Sequence, residues 1–232
     1  MTGRSPEQII YENLWQESLS AFDCGAVRLD AFLTNRQSDK RRSVTLVARP
    51  DAAVCAQVKQ FLDEIAAVAL EQYFYQPQEF HMTVLSVIPG SDSWQQSAQR
   101  LPDYLAALDT VLGGSRKFSV TFRGVTASPE AVMIQGFPAD NALSQLRDDL
   151  RAALVERGLG ENLDRRYKIA TAHLTVMRFC KPMNDWRPLK SLLAANRERD
   201  FGTICFRTLQ LIEADWYASA NSVKVLKEFS LE

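Results

Sequence analysis

The stretch His81-Met82-Thr83-Val84 recurs later in the chain as His173-Leu174-Thr175-Val176, and this doubled tetrapeptide decides the interpretation of the fold. The chain contains only two histidines, and each of them begins one of the two copies. Alternate residues of a strand point to one face, so the histidine and the threonine of each copy project together. Each copy therefore predicts a strand that presents one imidazole and one hydroxyl on the same side of its sheet.

A similar run of elements precedes each copy, which indicates an internal duplication. Ahead of the first copy, residues 44–48 predict a short strand, and Pro50-Asp51 then supplies a stop and a helix N-cap. A helix over residues 52–72 follows, and the strand that carries the first copy covers residues 80–88. The apolar residues of this helix share one face, which predicts that the helix packs on a sheet: Val54, Val58, Phe61, Leu62, Ile65 and Ala69.

The second run has the same order. Residues 131–134 predict a short strand, Asp140 takes the place of the earlier aspartate as an N-cap, and a leucine-faced helix ends at Gly158. An extended segment over residues 167–179 then carries the second copy. Two copies at such a wide separation predict two lobes related by an approximate two-fold axis, because a solenoid needs three or more short repeats. The two histidine motifs would then line one shared cleft.

The chain divides into two parts. We assign residues 1–42 to an N-terminal helical appendage, whose apolar face we expect to pack on its own lobe, and residues 43–232 to a bilobal domain. The sequence predicts these further elements: helices over residues 6–22 and 185–195, a helical stretch interrupted at Pro102 and ended by Gly113-Gly114, and strands over residues 117–125, 203–214 and 223–231.

Charge and composition narrow the class of protein. The 232 residues include 27 Lys and Arg against 28 Asp and Glu, a balance that is typical of ordinary globular proteins. Without a basic excess, we expect no binding to long duplex nucleic acid, and a nucleic-acid partner should be small. The four cysteines are scattered, no apolar segment is long enough to cross a bilayer, and no leader-like segment begins the chain. We therefore expect a cytoplasmic protein with reduced thiols and no membrane contact.

Two histidines that face one cleft suit phosphoryl transfer. Because the unperturbed imidazole pKa is about 6.5, one ring can stay neutral as a general base while the other is protonated as a general acid. In-line displacement at phosphorus places the attacking and leaving oxygens on opposite sides, which matches rings on opposite lobes. The hydroxyls of Thr83 and Thr175 can then donate to the non-bridging oxygens. We expect no metal ion or other cofactor, because no His-x-x-x-His pair and no cysteine or carboxylate cluster accompanies the histidines.

The doubled histidine–apolar–threonine–apolar motif (HxT motif) resembles that of the two-histidine (2H) phosphoesterase superfamily, which includes the bacterial 2′-5′ RNA ligase-like proteins and cyclic nucleotide phosphodiesterases. The resemblance covers roughly residues 43–231. It implies a bilobal α+β fold with duplicated antiparallel sheets, and metal-independent cleavage or formation of a phosphodiester, often at a 2′,3′-cyclic phosphate. By this resemblance, His81 and His173 are the catalytic pair, and Thr83 and Thr175 hold the phosphate.

Three other positions bear on the resemblance. Arg178, five residues after His173, matches a basic residue that is common after the second motif in the ligase-like branch. Ser86 departs from that branch, because an aromatic residue is common at its position. Residues 1–42 have no counterpart in the minimal family pattern. The resemblance therefore leaves the subfamily and its substrate open.

Basic and aromatic residues near the motifs are further candidates for substrate binding. Basic residues concentrate around the second copy, where they can receive phosphates that flank the scissile group: Arg165, Arg166, Lys168, Arg178 and Lys181. Aromatic residues can stack on a nucleobase, although core packing is their commoner fate: Tyr75, Phe80 and Tyr167. From these sets we select Arg178, Tyr75 and Lys168 as the substrate-binding residues.

The leading hypothesis is a monomeric phosphodiesterase that acts on a 2′,3′-cyclic phosphate or on a 2′-5′-linked nucleotide or RNA end. The near symmetry of the two motifs leaves open which histidine is the acid and which is the base. The alternative is a non-catalytic nucleotide- or RNA-binding module on the same fold. Intact histidine and threonine in both copies weigh against that alternative, because a receptor needs hydrogen-bond donors but no acid–base pair.

Overall fold

The computed structural model of the protein describes residues 5–164 and 168–232. Its helices are α1 Pro6–Cys24, α2 Ala52–Ala69, α3 Trp94–Ala98, α4 Leu101–Leu112, α5 Ala142–Glu156 and α6 Arg187–Ala195. Its strands are β1 Arg42–Ala48, β2 Tyr73–Phe74, β3 Met82–Ser91, β4 Phe118–Ser128, β5 Ala131–Pro138, β6 Leu174–Arg178, β7 Asp200–Phe206, β8 Thr208–Asp215 and β9 Lys224–Ser230.

The strands of the described residues form one antiparallel sheet that is symmetric about its middle. Their order is β7-β4-β5-β6-β3-β1-β8-β9, with the short β2 paired to β6. The first half of the sheet is β3-β1-β8-β9, and the second half is β6-β5-β4-β7. A single register pair, Met82 with Leu174, joins the two halves. The predicted α+β fold with duplicated antiparallel halves is confirmed, and the continuous sheet curls into a half-barrel.

The repeated unit is β1-α2-β3 in the first half and β5-α5-β6 in the second. Asp51 caps α2 as predicted, because its carboxylate accepts a hydrogen bond from the Val54 amide at 2.9 Å. In the second unit Asn141 occupies the N-cap position, while Asp140 accepts from the Ala142 amide at 2.8 Å. The predicted cap therefore lies one residue away from the observed one, although the aspartate still bonds the first turn of the helix.

The strand predicted over residues 203–214 is wrong, because the structure contains two strands there. β7 pairs with β4 in the second half, whereas β8 pairs with β1 in the first half. Only Arg207 separates them, and both carry strand-like residues, so the sequence pattern runs on without a visible break. The chain therefore passes from one half of the sheet to the other at Arg207. As a result, β8 and β9 complete the half that contains the first HxT motif.

Helix α1 packs on the second half through its contacts with β4. It begins with a capping box in which the Ser5 hydroxyl accepts from the Gln8 amide and the Gln8 side chain accepts from the Ser5 amide. Its side chains Tyr11, Trp15 and Phe22 are buried. The helix therefore packs on the chain as expected, but only Phe22 of its predicted apolar face, Ile9, Ile10, Leu14 and Phe22, is buried, and Ile9 is 50% exposed. The division of the chain after residue 42 stays a prediction.

The motif strands have one face in the core and one face in a cavity. Four apolar residues of the two motifs are fully buried: Met82, Val84, Leu174 and Val176. The histidines and threonines that alternate with them are only partly buried. None of the helices in the described part of the chain combines the length and hydrophobicity that a bilayer crossing requires.

Candidate functional site

Side chains of both HxT motifs line one cavity of about 190 Å³. His81, Thr83, His173 and Thr175 all line it. Their strands are the central pair of the sheet, at the place where its two halves meet. The structure therefore brings together the four residues that the sequence predicts as the catalytic group.

The register of the central strands explains how the four side chains converge. Because Met82 lies opposite Leu174 in an antiparallel pair, the position beside Thr175 is His81, and the position beside His173 is Thr83. Residues directly opposite each other have Cβ atoms about 4.5–5.5 Å apart. Each imidazole therefore lies next to the hydroxyl of the other copy. A phosphate between the two rings would meet hydroxyls contributed by both halves of the sheet.

Different partners orient the two imidazoles. Nδ1 of His81 lies 2.7 Å from the backbone carbonyl oxygen of Glu79. A carbonyl can only accept, so Nδ1 carries the hydrogen and the neutral ring has a free lone pair at Nε2. Nδ1 of His173 instead lies 2.9 Å from the hydroxyl oxygen of Thr171, a group that can either donate or accept. The two motifs therefore differ in the group that contacts Nδ1, which is a carbonyl at His81 and a hydroxyl at His173.

Burial and nearby cations hold both imidazoles in the neutral form. Burial, together with the guanidinium groups of Arg49 and Arg178, lowers the pKa of His81 to about 4. The pKa of His173 is likewise lowered to about 4 by burial and by Arg147, His81 and Arg178. At neutral pH and without a substrate, both rings are therefore neutral, whereas the sequence predicts one neutral and one protonated ring. An anion between the rings would favour imidazolium and raise these pKa values.

Two of the three predicted substrate-binding residues form one wall of the cavity. Arg178 and Tyr75 both line it, and Nε of Arg178 donates a hydrogen bond of 2.8 Å to the Tyr75 hydroxyl. The Arg178 guanidinium also lies 5.8 Å from the centre of the Tyr217 ring. Tyr75 is 3% exposed. Its hydroxyl therefore positions the cation beside the histidines.

Three further candidates that the structure describes lie away from the cavity wall. Lys168 is exposed and pairs with Asp148 at 3.3 Å, and Lys181 pairs with Glu71 at 3.2 Å, also at the surface. Phe80 is fully buried in the core. Closeness along the chain suggested these residues, but their side chains point elsewhere. Three of the candidates fall outside the described residues: Arg165, Arg166 and Tyr167.

The cavity extends over the first half of the sheet, where sequence reasoning missed its lining. Ser43, Thr45 and Ser86 supply hydroxyls there, and Thr45 lies opposite Ser86 in the sheet register. The Trp216 ring forms part of the same wall, under the Arg41 guanidinium at 4.3 Å from the ring centre. Gly90 makes room for this ring, because a Cβ atom there would lie 2.8 Å from two of its carbons. No repeated motif marks these residues, since they come from two separate strands and a turn.

Arg147 of α5 is another residue that the sequence did not reveal. Its side chain is buried, and its guanidinium donates to the carbonyl oxygens of Thr83 at 2.8 Å, Val84 at 2.9 Å and Thr171 at 2.8 Å. It therefore ties the backbone of the first motif to the segment just before the second. Burial lowers the pKa of Arg147 to about 10, so the group remains a cation at neutral pH.

The donor set of the site does not include a cluster of metal ligands. Within residues 5–164 and 168–232, no three His, Cys, Asp or Glu side chains come close enough together to hold a metal ion. The cavity offers imidazoles, hydroxyls and one guanidinium, and the carboxylates of Asp164 and Asp215 also line it. These groups can exchange protons and bind a phosphate, and neither task requires a metal ion.

Comparison with known proteins identifies the type of domain. The model of the AKAP7 2′5′ RNA ligase-like domain family matches residues 47–230. No curated protein matches the sequence.

Several crystal structures have the same fold. The protein TT0787 of Thermus thermophilus is 19% identical with a TM-score of 0.61, over 82% of this chain and 97% of that one. E. coli LigT complexed with ATP is 11% identical with a TM-score of 0.53, over 82% and 98% of the two chains. E. coli LigT complexed with 3′-AMP is 12% identical with a TM-score of 0.51, over 84% and 99%. At these identities the likeness concerns the fold.

Proposed function

The chain belongs to the AKAP7 2′5′ RNA ligase-like domain family, within the two-histidine phosphoesterase superfamily. We propose that it is a metal-independent phosphodiesterase. Its substrate is a 2′,3′-cyclic phosphate or a 2′-5′-linked nucleotide or RNA end. The observation that carries the proposal is the convergence of two imidazoles and two threonine hydroxyls, from both halves of the sheet, on one cavity.

The tautomer of His81 supports its role as the general base. Its neutral ring has the free lone pair at Nε2, because Nδ1 donates to the Glu79 carbonyl. In hydrolysis, a water oxygen bonds to phosphorus while its proton passes to Nε2 of His81. The bond from phosphorus to the ribose oxygen breaks, and that oxygen takes the proton from Nε2 of His173. Both rings then return to their starting states by proton exchange with water.

The protonation of His173 depends on the substrate. Its pKa of about 4 leaves the ring neutral at neutral pH, so the general acid must gain its proton as the phosphate anion binds. Thr83, Thr175 and Arg178 line the same cavity and are the donors that would hold the non-bridging oxygens. These donors also neutralise the charge that develops on the phosphoryl group in the transition state.

The shape of the site supports a small nucleotide or a nucleic-acid end as the substrate. The cavity continues from the histidines over Ser43 and Thr45 to Trp216. The hydroxyls of Ser43 and Thr45 can bind a sugar, and the Trp216 ring can contact a base. The formal net charge of the chain is −1, so it lacks the basic excess that binding along a duplex would need. E. coli LigT, which shares the fold, has been crystallised with 3′-AMP.

Substitution of either histidine is the first test of the proposal. We expect His81→Ala and His173→Ala each to lower kcat by about 10² or more, because each removes one proton-transfer group. Turnover is measured on a panel of 2′,3′-cyclic nucleotides and 2′-5′ dinucleotides. Lys181→Ala is the matched control, since its side chain is at the surface and paired with Glu71. A histidine variant that keeps the wild-type rate would exclude that histidine from the mechanism.

Two further measurements test the proposal against its alternatives. Activity should persist in excess EDTA, and loss of turnover that a divalent ion restores would indicate a metal enzyme. Calorimetric titration with mononucleotides tests the non-catalytic alternative. Tight binding without product from any member of the panel would indicate a receptor for nucleotides.

A further inference from the structure

The turn after β8 supplies part of the cavity wall. Trp216 and Ala218 of this turn both line the cavity. The Asp215 carboxylate accepts hydrogen bonds from the backbone amides of Tyr217 at 3.1 Å and Ser219 at 2.9 Å. These bonds restrain the backbone of the turn, but they do not fix the direction of the Trp216 side chain.

Contacts with two other parts of the chain restrain the Trp216 ring. The guanidinium of Arg41 lies 4.3 Å from the ring centre, within the range of a cation–π contact. Gly90 of β3 lies against the same ring, because a Cβ atom there would lie 2.8 Å from its Cε3 and Cζ3 atoms. The ring is therefore held by a guanidinium that stacks on it and by a backbone that it packs against.

The Arg41 guanidinium is itself fixed by its neighbours. Its Nε and Nη2 donate to the two carboxylate oxygens of Asp39 at 2.8 and 2.7 Å, and Nη2 also donates to the Tyr217 hydroxyl at 3.4 Å. The Phe32 ring centre lies 4.5 Å from the guanidinium. A bidentate pair with a carboxylate fixes the plane of a guanidinium, which the flexible ammonium of a lysine cannot reproduce. Arg41 is therefore a preorganised support for the Trp216 ring.

The N-terminal segment contacts this turn at two further points. The Asp30 carboxylate accepts from the Tyr217 hydroxyl at 2.9 Å, and the Arg36 guanidinium donates to the Ser219 hydroxyl at 2.9 Å. The match to the family model begins at residue 47, so these residues and Arg41 precede the matched region. The support of the turn is consequently a feature of this chain's own N-terminal segment.

We propose that Arg41 is a positioning residue for the substrate: its guanidinium holds the Trp216 ring in the cavity wall and thereby determines the affinity for the nucleoside part of a nucleotide. A phosphate held by the motif side chains and Arg178 does not need this wall, whereas a nucleoside that extends over Ser43 and Thr45 does. The choice of a nucleotide as the ligand rests on the proposed function, but its binding is measured without turnover.

Calorimetric titration with 3′-AMP and with inorganic phosphate separates the two parts of the ligand. Arg41→Gln removes the guanidinium and keeps an amide that can donate to Asp39. We expect it to raise the Kd for 3′-AMP about 10-fold and to leave the Kd for phosphate unchanged, because only the nucleoside reaches the displaced ring. Gly90→Ala displaces the ring from its other contact and should have the same selective effect.

Arg197→Gln is the matched control for the loss of a stacked arginine. The Arg197 guanidinium lies 4.6 Å from the centre of the Trp15 ring and pairs with Glu12 at 2.9 Å, and its side chain is 23% exposed, as is that of Arg41. We expect both dissociation constants to stay at their wild-type values in this variant. An equal loss of 3′-AMP affinity in Arg197→Gln would overturn the proposal.

A double variant tests whether Arg41 acts through the ring. In a Trp216→Ala background, Arg41→Gln should cause little further loss of 3′-AMP affinity, since the ring that it holds is gone. Multiplicative losses would contradict this path. The proposal also fails if the wild type does not bind 3′-AMP, or if Arg41→Gln and Gly90→Ala both bind it as the wild type does. If Arg41→Gln does not fold, Gly90→Ala with Trp216→Ala completes the same comparison.

Kinetics provide the last test. We expect Arg41→Gln to raise KM for a 2′,3′-cyclic nucleotide about 10-fold with little change in kcat, because the wall contributes to binding and not to proton transfer. A fall in kcat at unchanged KM would contradict the positioning role. A wild type without turnover, together with the expected changes in 3′-AMP affinity, would refute the proposed function and leave the role of Arg41 intact.

Discussion

His81 and His173 share a cavity and a lowered pKa, yet the groups behind them differ. The backbone carbonyl behind His81 allows one tautomer, whereas the hydroxyl behind His173 allows two. Two nearly identical tetrapeptides therefore present two chemically distinct rings. This difference supports separate roles for the histidines, which the tetrapeptides alone leave undecided.

The pH dependence of the rate follows from the lowered pKa values. The value of kcat/KM reports the free enzyme, and the reaction needs one neutral and one protonated ring. With both pKa values at about 4, the singly protonated enzyme is most abundant near pH 4, so we expect kcat/KM to fall as the pH rises above 5. A bound phosphate anion stabilises imidazolium and raises the pKa, so the optimum for kcat should lie at higher pH.

Initial rates between pH 4 and 8 test this expectation. Unfolding curves at each pH are the control, because loss of structure in acid would also lower the rate. Identical optima for kcat and kcat/KM, or an optimum for kcat/KM above about 7, would contradict it.

The cavity residues that could be predicted belong to a repeated pattern, whereas those that were missed do not. The HxT residues repeat, so a strand period of two is enough to predict that they share one face. Lys168 was chosen because it is near the motif along the chain, but its ion pair with Asp148 holds it at the surface. Trp216 enters the cavity from the turn after β8, and no local pattern predicts that β8 lies beside β1.

Among the elements, helix α5 joins the first motif strand to the segment before the second through one buried cation, Arg147. Arg147 bonds the carbonyl oxygens of Thr83, Val84 and Thr171, so it holds the backbone of the first motif to the segment just before the second. A buried charge is costly unless its hydrogen bonds are satisfied, and these three carbonyls satisfy it. The sequence shows Arg147 only as one polar residue in an amphipathic helix.

Arg147→Met tests this connection. The change leaves three buried carbonyl oxygens without their donor, so we expect the free energy of unfolding to fall by about 3 kcal/mol or more. It also removes a cation that lowers the pKa of His173, so that pKa should rise. Urea unfolding and the His173 titration measured by NMR check the two effects. Arg157→Met, at the exposed end of the same helix, should change both quantities little, and equal effects from the two variants would contradict the role of Arg147.

The boundary between strands β7 and β8 at Arg207 could not be predicted from the sequence. Residues on both sides suit a strand, and strand propensity depends on a half-buried, pleated surface rather than on which strand lies alongside. The partners are β4 on one side of the break and β1 on the other. Only the tertiary structure supplies those two different partners.

For the whole molecule, the order of the sheet makes each half depend on distant parts of the chain. The first half takes β1 and β3 from the beginning of the chain and β8 and β9 from its end. Without β8, the buried residues Leu46 and Val47 of β1 would lie on an open sheet edge. The first repeat therefore cannot complete its half of the site by itself.

Fragment complementation tests this dependence. We expect a fragment of residues 1–113 to lack cooperative thermal unfolding, because its β1 has lost its partner. Mixing it with a fragment of residues 114–232, which supplies β8 and β9, should recover strand signal by circular dichroism and a cooperative transition. The intact chain is the reference. A folded, cooperative fragment 1–113 alone would show that the first repeat is an independent domain.

The duplication, the secondary structure around each motif and the face on which the histidines and threonines lie could all be predicted from the sequence. These features depend on local periodicity and on residue types that chemistry restricts. Which strands adjoin, how the two rings differ and which buried residues, such as Arg147, support the motifs follow only from the tertiary structure. These features arise from contacts between residues far apart in the chain, and such contacts leave no period in the sequence.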